Sequence, residues 1–138
     1  MATALPLPYD ATSPFRARRF VEEFAVARAL DGTASALCTI ASELVTNAIL
    51  HGAPPIELSI RHQDGDVTIE VTDGDPEIDK VRPRTPDQAE PTGRGLRIVA
   101  SLADRWGIRE LQSGKAVWAA TTGATRPTGT AHQRTVLP

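Results

Sequence analysis

The sequence has one cysteine, Cys38, in 138 residues, which excludes an intramolecular disulfide and a thiolate metal cluster within one chain. Its setting, "SALCTIA", shows no environment that would lower a thiol pKa, so it reads as a small buried residue. No apolar run approaches the roughly 20 residues that a membrane helix needs. The opening "MATALPLPYD" has neither the basic region nor the continuous apolar stretch of a secretory signal, so a cytoplasmic location is expected. An excess of basic charge is missing as well. With a net charge of −2 and a pI near 5.9, the chain has no general electrostatic footprint for nucleic acid. The basic run "RARR", Arg16 to Arg19, reads as a solvated helix face. There is no internal repeat, no GxxxxGK[ST] phosphate loop and no GxGxxG after a strand.

What is present suits one soluble core: 41% apolar and 23% charged residues, in a length that buries roughly two thirds of the unfolded surface. From Pro14 to Leu30 the spacing predicts a helix with Phe20, Phe24 and Ala27 on one face, stopped by Asp31 and Gly32. From about Thr33 to Leu50 a second helix carries Leu37, Ile40, Ala41, Leu44 and Ala48 as a buried stripe. Two alternating runs, "IELSIR" and "VTIEV", are joined across an Asp-Gly turn signal into a hairpin. Residues 74 to 93 contain four prolines without periodicity and read as a long mobile loop, which a compact domain rarely keeps without a function. A third helix is expected from about Gly95 to Arg105, with Leu96, Val99, Ala100, Ala103 and Trp106 on one side. "WGIREL" and "KAVWAAT" follow as a second hairpin, joined through Gln112, Ser113 and Gly114. The tail from 123 to 138 is polar and reads as disordered. Helices and mainly antiparallel strands in this order predict an α+β two-layer sandwich.

Three clusters carry chemistry. In "SELVTNAILHG", Glu43 and Asn47 lie about 40° apart on the helix, at the border of the apolar stripe. Chance polarity explains them, or else a general base beside an amide oxygen that holds a hard cation. In "VTDGDP", Asp73-Gly74 is a turn, or a carboxylate that accepts a hydrogen bond from an exocyclic amine, with Gly74 letting the backbone approach the ring. In "TGRGL", a glycine pair marks the passage from loop to helix, or opens a helix start that attracts phosphate.

In this order, "ELVTNA" on a helix, "DG" ending a hairpin, a long loop, "GRGL" opening a helix and a terminal hairpin resemble the GHKL ATPase superfamily. With "ADRWG" and "GKAVWA" the chain looks more narrowly like the RsbW-type anti-sigma factor serine/threonine kinases of the short actinobacterial kind, over about residues 14 to 122. The resemblance implies the Bergerat fold, with ATP and Mg²⁺ between helices and sheet. It makes Glu43 the catalytic acidic residue, Asn47 the Mg²⁺ ligand and Asp73 the adenine-binding aspartate beside Gly74. Gly93, Arg94, Gly95 and Leu96 become the glycine box on the phosphates, and residues 75–92 the ATP lid; His51 is given a packing role. The implied domain is 14–122, preceded by an extension over 1–13 that includes a possible edge strand.

Two departures stand out. Pro76 occupies the place of a flexible glycine at the lid hinge, and Ala116 stands where a hydroxyl residue commonly lies near the phosphates, a loss that an inward-pointing Lys115 would offset. The resemblance implies an STAS-type anti-anti-sigma protein as phosphorylation partner, a sigma factor as the other client, and no direct nucleic acid or membrane contact; it also allows a homodimer. A nucleotide-gated binding module without catalysis is the alternative. The ATPase half of a histidine kinase is disfavoured, since no phosphoacceptor helix precedes residue 14.

Overall fold

The computed structural model describes residues 2–30, 32–76 and 91–122. Its elements are β1 (Ala2–Leu7), α1 (Ser13–Ala27), α2 (Ala34–His51), β2 (Ile56–Gln63), β3 (Asp66–Asp73), α3 (Pro91–Leu102), β4 (Arg105–Leu111) and β5 (Gly114–Thr122). The five strands form one antiparallel sheet in the order β1-β2-β3-β5-β4. Helix α2 lies across the middle of it, touching β2, β3 and β5, with α1 beside β1 and α3 beside β4. The α+β two-layer sandwich is the architecture observed.

Alternation explains the single buried face. Ile56, Leu58 and Ile60 of β2, and Val67, Ile69 and Val71 of β3, are buried, while the residues between them are half-buried or exposed. Across the layer, Leu37, Ile40, Ala41, Leu44 and Ala48 of α2 are all buried, as their spacing predicts. The first hairpin closes through Asp64 and Gly65 at φ 54° and 83°, the left-handed pair that an Asp-Gly turn requires.

Element ends differ from the sequence reading in physically informative ways. Helix α1 stops at Ala27 rather than Leu30. Ala29 takes a left-handed φ of 57°, its N–H donates to Val26 O (3.2 Å), and the Leu30 N–H donates to Ala25 O (2.8 Å). This is the Schellman closure usually built on glycine. It holds here because Leu30 is buried, so tertiary packing outweighs the left-handed cost. The buried face of α1 is Ala17, Val21, Phe24 and Ala25; Phe20 is half-buried and Ala27 exposed. Helix α3 starts at Pro91, so the glycine pair falls within its first turns and residues 91 and 92 leave the expected lid. It ends at Leu102, and Trp106 is buried on β4 instead of on the helix. Residues 2–7 pair with β2 as an edge strand. The remaining lid positions, 77–90, and the tail from 123 to 138 lie outside the described residues.

The Ala29 geometry makes a test of this account. Ala29→Gly should raise stability by about 1 kcal/mol, because the left-handed penalty for a residue with a Cβ, roughly 1–2 kcal/mol, exceeds the entropy that glycine adds to the unfolded chain. The midpoint of urea unfolding measures it, and a lower midpoint would contradict the closure described.

Candidate functional site

Glu43, Asn47 and Gly52 mark out one side of α2 and its C-cap, and each meets a different part of the fold. Glu43, half-buried, faces the start of α3: a Cβ added to Gly95 would stand 2.6 Å from Glu43 Oε2. Only glycine leaves the carboxylate its place there. Asn47 is 3% exposed, and among the described residues its Oδ1 has no hydrogen-bond partner. A buried amide oxygen without a donor costs about 1–3 kcal/mol, so it is kept against the fold's own interest. Gly52, which caps α2, adjoins the end of β3. A Cβ on it would come within 2.5 Å of Asp73 Cγ and 2.7 Å of Asp73 Oδ2.

Asp73 is 4% exposed at the last position of β3. Its Oδ1 accepts the Asp75 N–H at 2.8 Å and an ammonium N–H of Lys115 at 3.1 Å. Lys115 lies opposite it in the β3–β5 register and is 1% exposed, and its Nζ also donates to Asp75 O at 3.2 Å. Gly74 donates its N–H to Ala53 O at 2.7 Å, and a Cβ there would meet Pro54 O at 2.4 Å. The chain's own Pro54 carbonyl therefore already makes the close approach for which Gly74 was read.

These positions correct the reading of the last hairpin. Lys115 points inward, but to Asp73 and not to the α3 start where phosphates were expected. Ala116 pairs in register with Thr72 and Arg109, out of phase with the buried Val71–Val117 and Ile69–Ala119 pairs. It therefore faces away from the helices, and a hydroxyl there would not reach the α2 side of the sheet. Gly93, Arg94, Gly95 and Leu96 all lie on α3, with Leu96 buried in the core. Pro91 has no N–H, so the first-turn N–H groups without an intrahelical partner are those of residues 92 and 93.

The ion pair of Lys115 and Asp73 escaped the sequence reading, although a lysine in an otherwise apolar strand was its visible sign. Tyr9 escaped it too. Its hydroxyl lies 2.9 Å from Ile49 O and 3.1 Å from Gly52 O, bracing the end of α2 behind Asp73. His51 is half-buried in the last turn of α2. Cys38 is buried near Arg18 O, and burial pushes its thiol pKa up, away from reactivity. Arg16, Arg18 and Arg19 are exposed, as a solvated face requires.

The site fits a magnesium nucleotide on one observation. Asn47 Oδ1 is a buried oxygen, unpaired among the described residues, of the kind a hard cation takes. Mg²⁺ is typically bound by one or two protein oxygens together with substrate phosphates. This makes Asn47 testable apart from activity. Asn47→Leu should leave the nucleotide-free protein as stable or about 1 kcal/mol more stable, since it removes an unsatisfied polar atom. The same change should abolish any Mg²⁺ dependence of nucleotide affinity. Marked destabilisation with that dependence intact, read by thermal unfolding and calorimetry, would show Asn47 to be structural.

Among known proteins, the crystal structure of the RsbU and RsbW domains of Rv1364c from Mycobacterium tuberculosis superposes with a TM-score of 0.68 at 18% identity. The match covers 92% of this chain and 33% of that one, so the likeness concerns the fold and spans about a third of the larger protein. No curated protein matches. No helix among the described residues is long and apolar enough to cross a membrane. The model of the histidine kinase-like ATPase domain matches residues 7–121, and with helices, sheet and site in the arrangement described, the chain belongs to that family.

Proposed function

We propose that the protein is an ATP-binding, anti-sigma factor-like regulator that phosphorylates a serine or threonine of an STAS-type anti-anti-sigma partner. The observation that carries this reading is the unpaired, buried Asn47 Oδ1 one turn from Glu43, with Gly95 of α3 against that carboxylate. Nine residue steps lead from Glu43 to Gly52, a rise of about 13 Å. A ligand touching both ends is therefore elongated. It carries an amine toward Asp73 and anionic groups toward the start of α3, which describes a nucleoside triphosphate.

In this reading each residue has one task. Asp73 accepts a hydrogen bond from the base amine, Asn47 holds Mg²⁺, and the N–H groups at the start of α3, in the "GRGL" segment, receive the phosphates. Bound Mg-ATP supplies the γ-phosphoryl group. Glu43 accepts the proton of the partner's hydroxyl at a carboxylate oxygen as that hydroxyl becomes the nucleophile. Its half-buried position leaves it reachable from outside, which a base acting on a protein substrate needs. A sigma factor is the second client in this scheme, held in exchange with the anti-anti-sigma protein, in the bacterial cytoplasm and by a chain that can act as a homodimer.

A second reading, a nucleotide-gated binding module without catalysis, is favoured by the Asp73–Lys115 pair, which occupies one oxygen of the carboxylate assigned to the base. Glu43→Gln separates the two. For a kinase, the variant should fold and bind Mg-ATP normally while transfer to STAS-domain proteins encoded nearby falls by roughly 10²- to 10⁴-fold. Radiolabelled transfer, with ATP hydrolysis in parallel, gives the answer. Transfer at the wild-type rate would remove Glu43 from the chemistry, and a wild type that binds ATP but labels no partner would favour the binding module.

A further inference from the structure

Tyr9 stands outside the site yet reaches its frame. It lies between β1 and α1, in a turn that the chain closes on itself. The Ser13 N–H donates to Asp10 O at 3.2 Å, the Ser13 hydroxyl donates to Pro8 O, and the Thr12 N–H donates to Asp10 Oδ1 at 2.8 Å. From this turn the phenol hydroxyl meets two carbonyls 40 and 43 positions further along the chain, Ile49 O at 2.9 Å and Gly52 O at 3.1 Å. A hydroxyl has one proton, so the two carbonyls share it. Carbonyls at a helix C-terminus lack intrahelical donors, and residues just beyond the helix usually supply them. Here the Gly52 N–H closes α2 on Ala48 O at 2.8 Å, and the next carbonyl, Ile49 O, meets a donor from the N-terminal segment.

The strand side holds the same stretch from the other direction. Gly74 donates its N–H to Ala53 O at 2.7 Å, and Gly52 packs so closely on Asp73 that an added Cβ would stand 2.5 Å from Cγ. Residues 49 to 53 are therefore held between Tyr9 and the end of β3. Because Gly52 and the carboxylate touch, a shift of the helix end moves the carboxylate or leaves a gap beside it. We infer that Tyr9 is a positioning residue for the nucleotide site: its hydroxyl fixes the end of α2 against Asp73 and so sets the carboxylate that receives the base amine. This rests on the nucleotide-binding reading above and adds to it a residue that touches no ligand. Glu43 and Asn47 precede Ile49 in the body of α2, among the buried Leu44, Val45 and Ala48, so the magnesium side of the site does not depend on this hydroxyl.

Calorimetric titration of the full chain and of Tyr9→Phe with ATP, at a series of Mg²⁺ concentrations, tests it. Tyr9 is 43% exposed and phenylalanine keeps the ring, so the variant should fold; the fitted stoichiometry reports the folded fraction separately from the affinity. ATP affinity should fall by about three- to tenfold, the effect of one hydrogen bond, and by the same factor at every Mg²⁺ concentration. That constancy separates a shift at Asp73 from a general loosening of α2, which would also disturb Asn47. ATP affinity within about twofold of the wild type would overturn the inference and leave Tyr9 a helix cap only. A Mg²⁺ dependence that weakens along with the affinity would overturn it as well. In both cases the wild type still binds Mg-ATP and the nucleotide site stands. Failure of the wild type to bind ATP would remove the site itself and the inference with it.

Discussion

The packing of α2 across the sheet is the constraint from which the rest follows. The helix must bury Leu37, Ile40, Ala41, Leu44 and Ala48 against β2, β3 and β5, and that fixes its rotation. Once rotated so, Glu43 and Asn47 have no freedom to reach open water fully. Asn47 is drawn under the edge of the layer with its oxygen unpaired, and Glu43 stops at the border, against Gly95. An apolar residue at position 47 would pack at no polar cost. That the chain carries an amide there is the sign that burial alone did not choose the residue.

The second fixed point is the meeting of β3, β5 and the end of α2. Register sets Lys115 opposite Asp73, and Gly52 and Tyr9 hold the helix end where a carboxylate can lie against it. A buried ion pair is weak evidence of stability, because desolvation offsets most of the attraction. The middle of α2 thus meets α3, at Gly95 against Glu43, and its C-terminal end meets β3, at Gly52 against Asp73.

Much of this was legible in the residues. The stripe on α2, the alternation of β2 and β3 and the Asp-Gly turn are local patterns, and local patterns set the elements and the two-layer class. What was not legible depended on contacts between distant segments. Ala29 accepts a left-handed backbone because Leu30 is buried by tertiary packing, and no local signal shows that. Trp106 fits a helical stripe and a strand equally, and only sheet pairing with β5 decides. The orientation of Lys115 and Ala116 depended on a register that the turn length alone did not fix. The direction of one alternation sent the lysine to Asp73 and the alanine to the opposite face.

The central claim is that the unpaired Asn47 oxygen and the residues around it form a magnesium-dependent nucleotide site. Titration of the purified chain with ATP, with and without Mg²⁺, tests it most directly. The account predicts saturable binding that weakens strongly when the cation is withheld, because Asn47 and the start of α3 then lose the ion that couples them to the phosphates. No saturable binding at roughly millimolar ATP, or binding indifferent to Mg²⁺, would contradict it.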